Sequence, residues 1–189
     1  LNTILVCALD ATGTLISPPT PAATSAATGH GLCDIAGNGD HFTVVMEELE
    51  QGSATDNDIR ATHGVWNSGI VLVDSFLIEA DQHANEREPK ITLTNSKYAA
   101  CWVDPNGILD PNNVESSDIE ATNLQLDSAA RCGNPAFVPG NATNWMIEPG
   151  FTSKLAGGAA GSDDALILNR QEAVGGGKAS SIRPRSQNG

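Results

Sequence analysis

Turn-forming residues punctuate this chain so often that long regular elements have no room. Its 189 residues include 19 Gly, 10 Pro and, read off the sequence, 15 Asn. Gly reaches backbone angles closed to other residues, Pro withholds an amide donor, and Asn bonds its own backbone in turns. The apolar segments between them are short, which suits strands rather than long helices.

Those segments can be placed along the chain. Thr3 to Leu9 is almost continuously apolar and reads as a strand covered on both faces. Pro18-Pro19-Thr20-Pro21 and the Ala/Thr/Ser stretch after it bury little and block regular pairing, so residues 17–31 read as a linker. Phe42 to Leu49 is balanced between strand and helix. Gly69 to Ala80 is the strongest strand signal, with a bend expected at Asp74-Ser75. Lys90 to Thr94 alternates as a half-buried strand does. Tyr98 to Val103 follows, and Asp104-Pro105-Asn106-Gly107 stops it. Residues 114–130 carry partial helical spacing at Val114, Ile119, Leu126 and Ala130, and Ala165 to Leu168 is a last strand. The expected fold is all-β or β-rich α+β: an antiparallel sandwich or barrel of short strands with flexible N- and C-terminal arms. The expected organisation is an N-terminal strand or arm at 1–16, the linker at 17–31, a β-rich domain at 32–169 and a flexible basic tail at 170–189.

Charge narrows the partners. Ten basic residues against twenty-three acidic ones leave −13. That balance argues against wrapping nucleic-acid phosphate or binding an anionic membrane. No apolar stretch approaches the roughly 20 residues of a membrane helix, so no span is expected. The charge is also unevenly spread. Residues 170–189 hold Arg170, Lys178, Arg183 and Arg185 against Glu172, a net of +3, which leaves −16 on residues 1–169.

The four cysteines, Cys7, Cys33, Cys101 and Cys132, allow three pairings. Cys7–Cys33 and Cys101–Cys132 each close a turn-rich loop of moderate length and are favoured over the alternative of four buried thiols. Two disulfides imply an oxidising compartment, so the expected location is extracellular or on a virion surface. A start at Leu1 fits either a removed leader or a trimmed chain. Asn141-Ala142-Thr143 is a glycosylation sequon, a triplet that chance produces often.

Several clusters carry chemistry-capable groups. Asp10-Ala11-Thr12-Gly13-Thr14, after an apolar run, resembles the nucleophile motif of the haloacid dehalogenase superfamily, and Thr94-Asn95 resembles that family's second motif. The resemblance implies a doubly wound parallel sheet and a hydrolase with Asp10 as nucleophile and Thr94 in support. The chain departs from the family at Thr12, where a second Asp is usual. It departs again at Arg131, where a Lys is expected, and at Asp163-Asp164, which follow no apolar strand. His30, Cys33, Asp34, Asp40 and His41 are metal-capable side chains within twelve residues, but no regular element fixes their spacing, and a polar loop is the plainer reading. Asp104, Asn106 and Asp110 have calcium-loop spacing, with Glu115 at the closing position; the plainer reading is a turn between strands. Trp66, Trp102 and Trp145 are available for a sugar-binding platform or for core packing. No nucleotide-binding or esterase motif is present, and no cofactor is implied.

Three functions follow. The first is a structural subunit of an extracellular filament, pilus or virion shell, with copies of itself as partners and strand or arm exchange as the joint. The alternative is the hydrolase using Asp10. The third is a secreted binding module that uses exposed Trp.

Overall fold

A computed structural model describes residues 2–23, 29–49, 56–79, 85–104, 118–137, 144–152, 165–173 and 177–187. Among them every regular element is a strand and every strand pair is antiparallel. A short hairpin, β1 (Leu5–Val6) and β2 (Thr20–Pro21), precedes the first sheet. That sheet is a four-stranded meander of β3 (His30–Asn38), β4 (His41–Leu49), β5 (Asn57–Trp66) and β6 (Ile70–Glu79). The second sheet has the order β10-β9-β8-β7, from β7 (Arg87–Leu93), β8 (Tyr98–Asp104), β9 (Asp118–Leu124) and β10 (Ala136–Phe137). A third sheet follows, with β11 (Asn144–Thr152), β12 (Ala165–Ala173) and β13 (Gly177–Gln187) in order.

The first two sheets share one core. Val45, Ile59, Ala61 and Ile78 of the first meet Ile91, Tyr98, Ala100, Trp102 and Leu124 of the second. Trp102 and Tyr98 are fully buried. An indole buries about 200 Å², worth about 5 kcal/mol of transfer free energy. Both outer faces are covered as well. Val6, Ala22 and Ala23 of the hairpin lie on Val44 and Met46. On the far side, Cys101, Val103, Ile119 and Ala121 form a second buried layer, and β11 lies against β7, β8 and β9.

This layering explains where the sequence patterns misled. β4 is buried on both faces, so Phe42–Leu49 shows no clean period and reads as helix or strand when it is strand. Of the expected helical piece 114–130, residues 118–124 are instead β9 and 125–130 the turn after it, because β9 too is buried from both sides; residues 114–117 lie outside the described residues. Of Thr3–Leu9, expected to be covered on both faces, only Leu5–Val6 joins a ladder; Val6 is buried, and Leu5 and Leu9 are exposed. The expected linker 17–31 contributes β2 and the first residues of β3. In the expected tail, residues 177–187 form β13 and pair with β12. A turn that the sequence reading passed over lies at Asn38-Gly39-Asp40-His41. A two-residue loop joins β3 to β4, with Gly39 at φ +62°, an angle that glycine adopts without strain.

The edges of the two sheets are joined by side chains rather than by a ladder. β3 runs beside β7 without pairing to it. Asp34 of β3 accepts the Ile91 N–H of β7 at 3.0 Å. Glu47 of β4 accepts the Glu88 N–H at 2.8 Å and the Leu32 N–H at 3.0 Å. A Cβ on Gly31 would sit 2.0 Å from Glu47 Oε2, so glycine there leaves room for the carboxylate. Glu88 pays with a left-handed backbone, φ +56°. On the opposite side, Asp74 of β6 accepts from Ser128 Oγ and Ala129 N, both at 2.8 Å, and Arg131 donates to Ile78 O at 2.9 Å.

An orphaned buried amide costs about 1–3 kcal/mol. Glu47→Ala, which orphans two, is expected to lower unfolding free energy in urea by about 2–4 kcal/mol, and Asp34→Ala by about 1–3. Losses below about 0.5 kcal/mol in both would show that the seam is held by other forces.

Candidate functional site

The polar groups inside the sandwich separate into three clusters. On the hairpin-covered face of the first sheet, Glu48 is bonded by both Arg60 Nε and Arg60 Nη2, the latter at 2.7 Å, and by His30 Nε2 at 3.2 Å. Arg60 also reaches Ser75 Oγ at 3.1 Å, and Ser75 meets Thr62 at 2.8 Å. Burial acts to raise the Glu48 carboxyl; the Arg60 and His30 contacts outweigh it and hold it below the usual carboxylate range. A charge buried with its partners is fixed in place, and this cluster reads as a strut for β4, β5 and β6.

At one end of the sandwich, His41 and His63 stack with ring centres 5.3 Å apart. His41 Nδ1 lies 3.2 Å from His63 Nε2, and Thr43 Oγ1 lies 3.2 Å from His63 Nδ1. Burial lowers the His63 pKa, with His41 adding to it and Asp74 and Asp127 opposing, so His63 favours the neutral form.

At the other end, Asp58, Glu86, Asp104 and Glu120 are all buried, with Glu79 close by. Trp102 Nε1 donates to Glu120 Oε2 at 3.2 Å, and Glu86 Oε2 has no hydrogen-bond partner. Burial, with Asp104, Glu79 and Asp58 adding, pushes Glu86 up to about 9. Burial, with Glu79 and Asp104 adding, pushes Glu120 to about 7. No group of three or more His, Cys, Asp or Glu among the described residues is arranged to hold a metal ion.

The residues singled out from sequence fall elsewhere. Asp10 sits at the tip of the N-terminal hairpin, where its Oδ1 accepts from Thr12 N at 2.8 Å, Thr12 Oγ1 at 2.7 Å and Thr14 N at 2.9 Å. The Thr12 hydroxyl and Thr14 amide hold its carboxyl below the ordinary range. The Asp-x-x-x-Thr spacing therefore builds a tight turn. Thr94 closes a different turn, between β7 and β8, donating to Lys97 O at 2.8 Å. The doubly wound parallel sheet implied by the hydrolase resemblance is replaced by antiparallel meanders.

No disulfide joins Cys7 to Cys33 or Cys101 to Cys132. Cys101 is sealed beneath Val103, Ile119 and Ala121, while Cys7, Cys33 and Cys132 are exposed. Burial raises the Cys101 thiol well above its usual range. His30 and His41 stand at opposite ends of the β3–β4 hairpin, so these metal-capable residues, with Cys33, Asp34 and Asp40, are spread along two strands and their turn. Asp104 joins the acidic end; Asn106, Asp110 and the Asn141 sequon lie outside the described residues. Trp102 is core and Trp66 is half-buried on β5.

One feature of the surface has no parallel in the sequence reading. Among the residues of described burial, ten large hydrophobics are exposed, and they fall on three elements. Leu5, Leu9, Leu15 and Ile16 lie on the hairpin arm, Leu32 and Ile35 on β3, and Val71, Val73, Phe76 and Leu77 on β6. The arm's base is anchored on the first sheet, and its tip carries the Asp10 turn. β3 and β6 are the two edge strands of that sheet. Clustered apolar exposure on an arm and on sheet edges is the usual mark of a protein contact. Only the strand order, invisible before the fold is known, shows that β3 and β6 are edges. No family model, curated protein or solved structure matches the chain.

The acidic end makes a pH prediction. Glu86 holds its proton when folded and loses it near pH 4.5 when unfolded, so between about 4.5 and 9 the unfolded state binds fewer protons and stability falls as pH rises. Thermal melts from pH 5 to 9 are expected to show declining Tm, with Glu86→Gln flattening the decline and melting above the parent at pH 8. An unchanged slope in Glu86→Gln would place the titration elsewhere.

Proposed function

We propose that this chain is a structural subunit that assembles with copies of itself, in an extracellular filament, pilus or virion shell. The observation that carries the reading is that, among the residues of described burial, the exposed large hydrophobics all lie on one hairpin arm and the two edge strands of one sheet. Burying such surfaces between copies removes apolar area from water, and among the described residues the arm's two strands pair with each other and with no strand of the sheets, which leaves the arm as the segment to exchange. The acidic body and the basic stretch 170–189 add attraction between copies. The location rests on the sequence reading alone.

Light scattering coupled to size exclusion, from about 1 μM to 1 mM, tests this. Oligomers growing with concentration are expected. Leu9→Ser with Leu15→Ser and Ile16→Ser is expected to lower the largest species without unfolding the chain, since all three side chains are about half exposed. Monomer at every concentration and salt would remove the proposal.

A further inference from the structure

We propose that His41, His63, Thr43 and Tyr98 close a circuit of hydrogen bonds that latches the two central sheets together at one end, and that the latch opens when acid places a second proton on it. His41 and Thr43 lie on β4, His63 on β5, and Tyr98 on β8 of the second sheet. Thr43, His63 and Tyr98 are fully buried, while His41 is exposed. The Tyr98 hydroxyl lies 3.5 Å from the His41 carbonyl oxygen and is also hydrogen-bonded to Thr43. The contacts of His63 with Thr43 and with His41, each at 3.2 Å, complete the circuit.

One atom sets the direction of every bond. A carbonyl oxygen only accepts, so Tyr98 donates to the His41 carbonyl. A hydroxyl has one hydrogen, so Tyr98 accepts from Thr43, and Thr43 in turn accepts from Nδ1–H of His63. A neutral imidazole carries one hydrogen, so His63 Nε2 is bare and accepts from Nδ1–H of His41. The network thereby assigns both histidines as Nδ1–H tautomers. His41 Nε2 stays outside the circuit, on an exposed side chain, and takes a proton with every bond kept. A second proton goes to His63 Nε2, where it turns the acceptor into a donor that faces a donor. It also sets two cations with ring centres 5.3 Å apart. The charged groups facing His63 are His41 from β4, Asp74 from β6 and Asp127 from the turn after β9; β8 brings only the neutral Tyr98. Both nitrogens of His63 are engaged in the circuit, so neither carboxylate bonds to the imidazole. Asp74 accepts from Ser128 and Ala129 instead, and Asp127 is exposed. Burial, with His41 adding, outweighs the two carboxylates and keeps the His63 pKa below the ordinary imidazole range, as a ring that resists the second proton requires.

Nitrogen NMR of the imidazoles in the full chain, with amide exchange followed over the same descent from about pH 8 to pH 5, tests the latch. At the alkaline end both His41 and His63 are expected as Nδ1–H tautomers. On acidification His41 takes its proton first, and His63 follows at a proton concentration roughly tenfold higher or more. From that second step the amides of β4 and β5 beside the pair are expected to lose protection while those of β9 keep theirs. His41→Gln, at an exposed position, removes one of the two charges and is expected to let His63 protonate at a proton concentration roughly tenfold lower than in the parent. An Nε2–H tautomer at His63 in the parent overturns the circuit. A single shared protonation step for the two histidines, a His63 step that His41→Gln leaves in place, or protection lost in β9 together with β4 and β5 overturns the latch.

Discussion

The two central sheets are held edge to edge by carboxylates that take the place of a missing ladder. β3 and β7 run side by side yet share no strand pairing. Their amides are served by Asp34 and Glu47. At the other edge Asp74 does the same for Ser128 and Ala129. A carboxylate accepting a backbone N–H makes a charge-assisted bond, stronger than the neutral bond it replaces. Everything within the sandwich depends on that closure. It sets the distance at which Trp102 and Tyr98 meet Val45 and Ile59, and it fixes which strand edges stay open. Part of the acidity of the chain is thus structural. It is spent inward, on backbone amides, rather than displayed as a uniform negative surface.

The same geometry divides the interior. The strand ends near Asp58, Glu79, Glu86, Asp104 and Glu120 gather acids with few cations, so protons are retained there well above the ordinary carboxylate range. The ends near His41 and His63 gather two imidazoles, and there burial favours the neutral form. The exposed apolar residues lie on neither end but on the arm and the flanks. The exposed apolar residues and the proton-holding acids therefore occupy separate regions of the described residues.

Much of the fold was legible in the sequence because turn residues mark strand boundaries directly. β6, β7 and β8 fall within a residue or a few of the apolar runs that announced them. β5 was hidden because Asp58 and His63 are polar yet buried and Arg60 is half-buried against Glu48, a state that no alternation pattern reveals. β13 was hidden because a basic strand with almost no apolar residue reads as a tail until β12 is there to pair with it. The sites were less legible than the fold. Asp10-x-x-x-Thr14 is equally good chemistry for a nucleophile and for a turn, and only the surrounding architecture separates the two. The seam carboxylates gave no signal at all, since Asp34 and Ile91 are 57 residues apart. The exposed apolar residues gave no signal either, because their places on an arm and on two edge strands are set by the fold and not by a sequence pattern.

Residue-resolved amide hydrogen exchange on the native protein tests the carboxylate closure most directly. The closure predicts that the amides of Leu32, Glu88, Ile91 and Ala129, none of them bonded by a strand ladder across the seam, exchange as slowly as ladder amides in β4 and β8. Exchange at these four as fast as in the open turns, with β4 and β8 still protected, would contradict it.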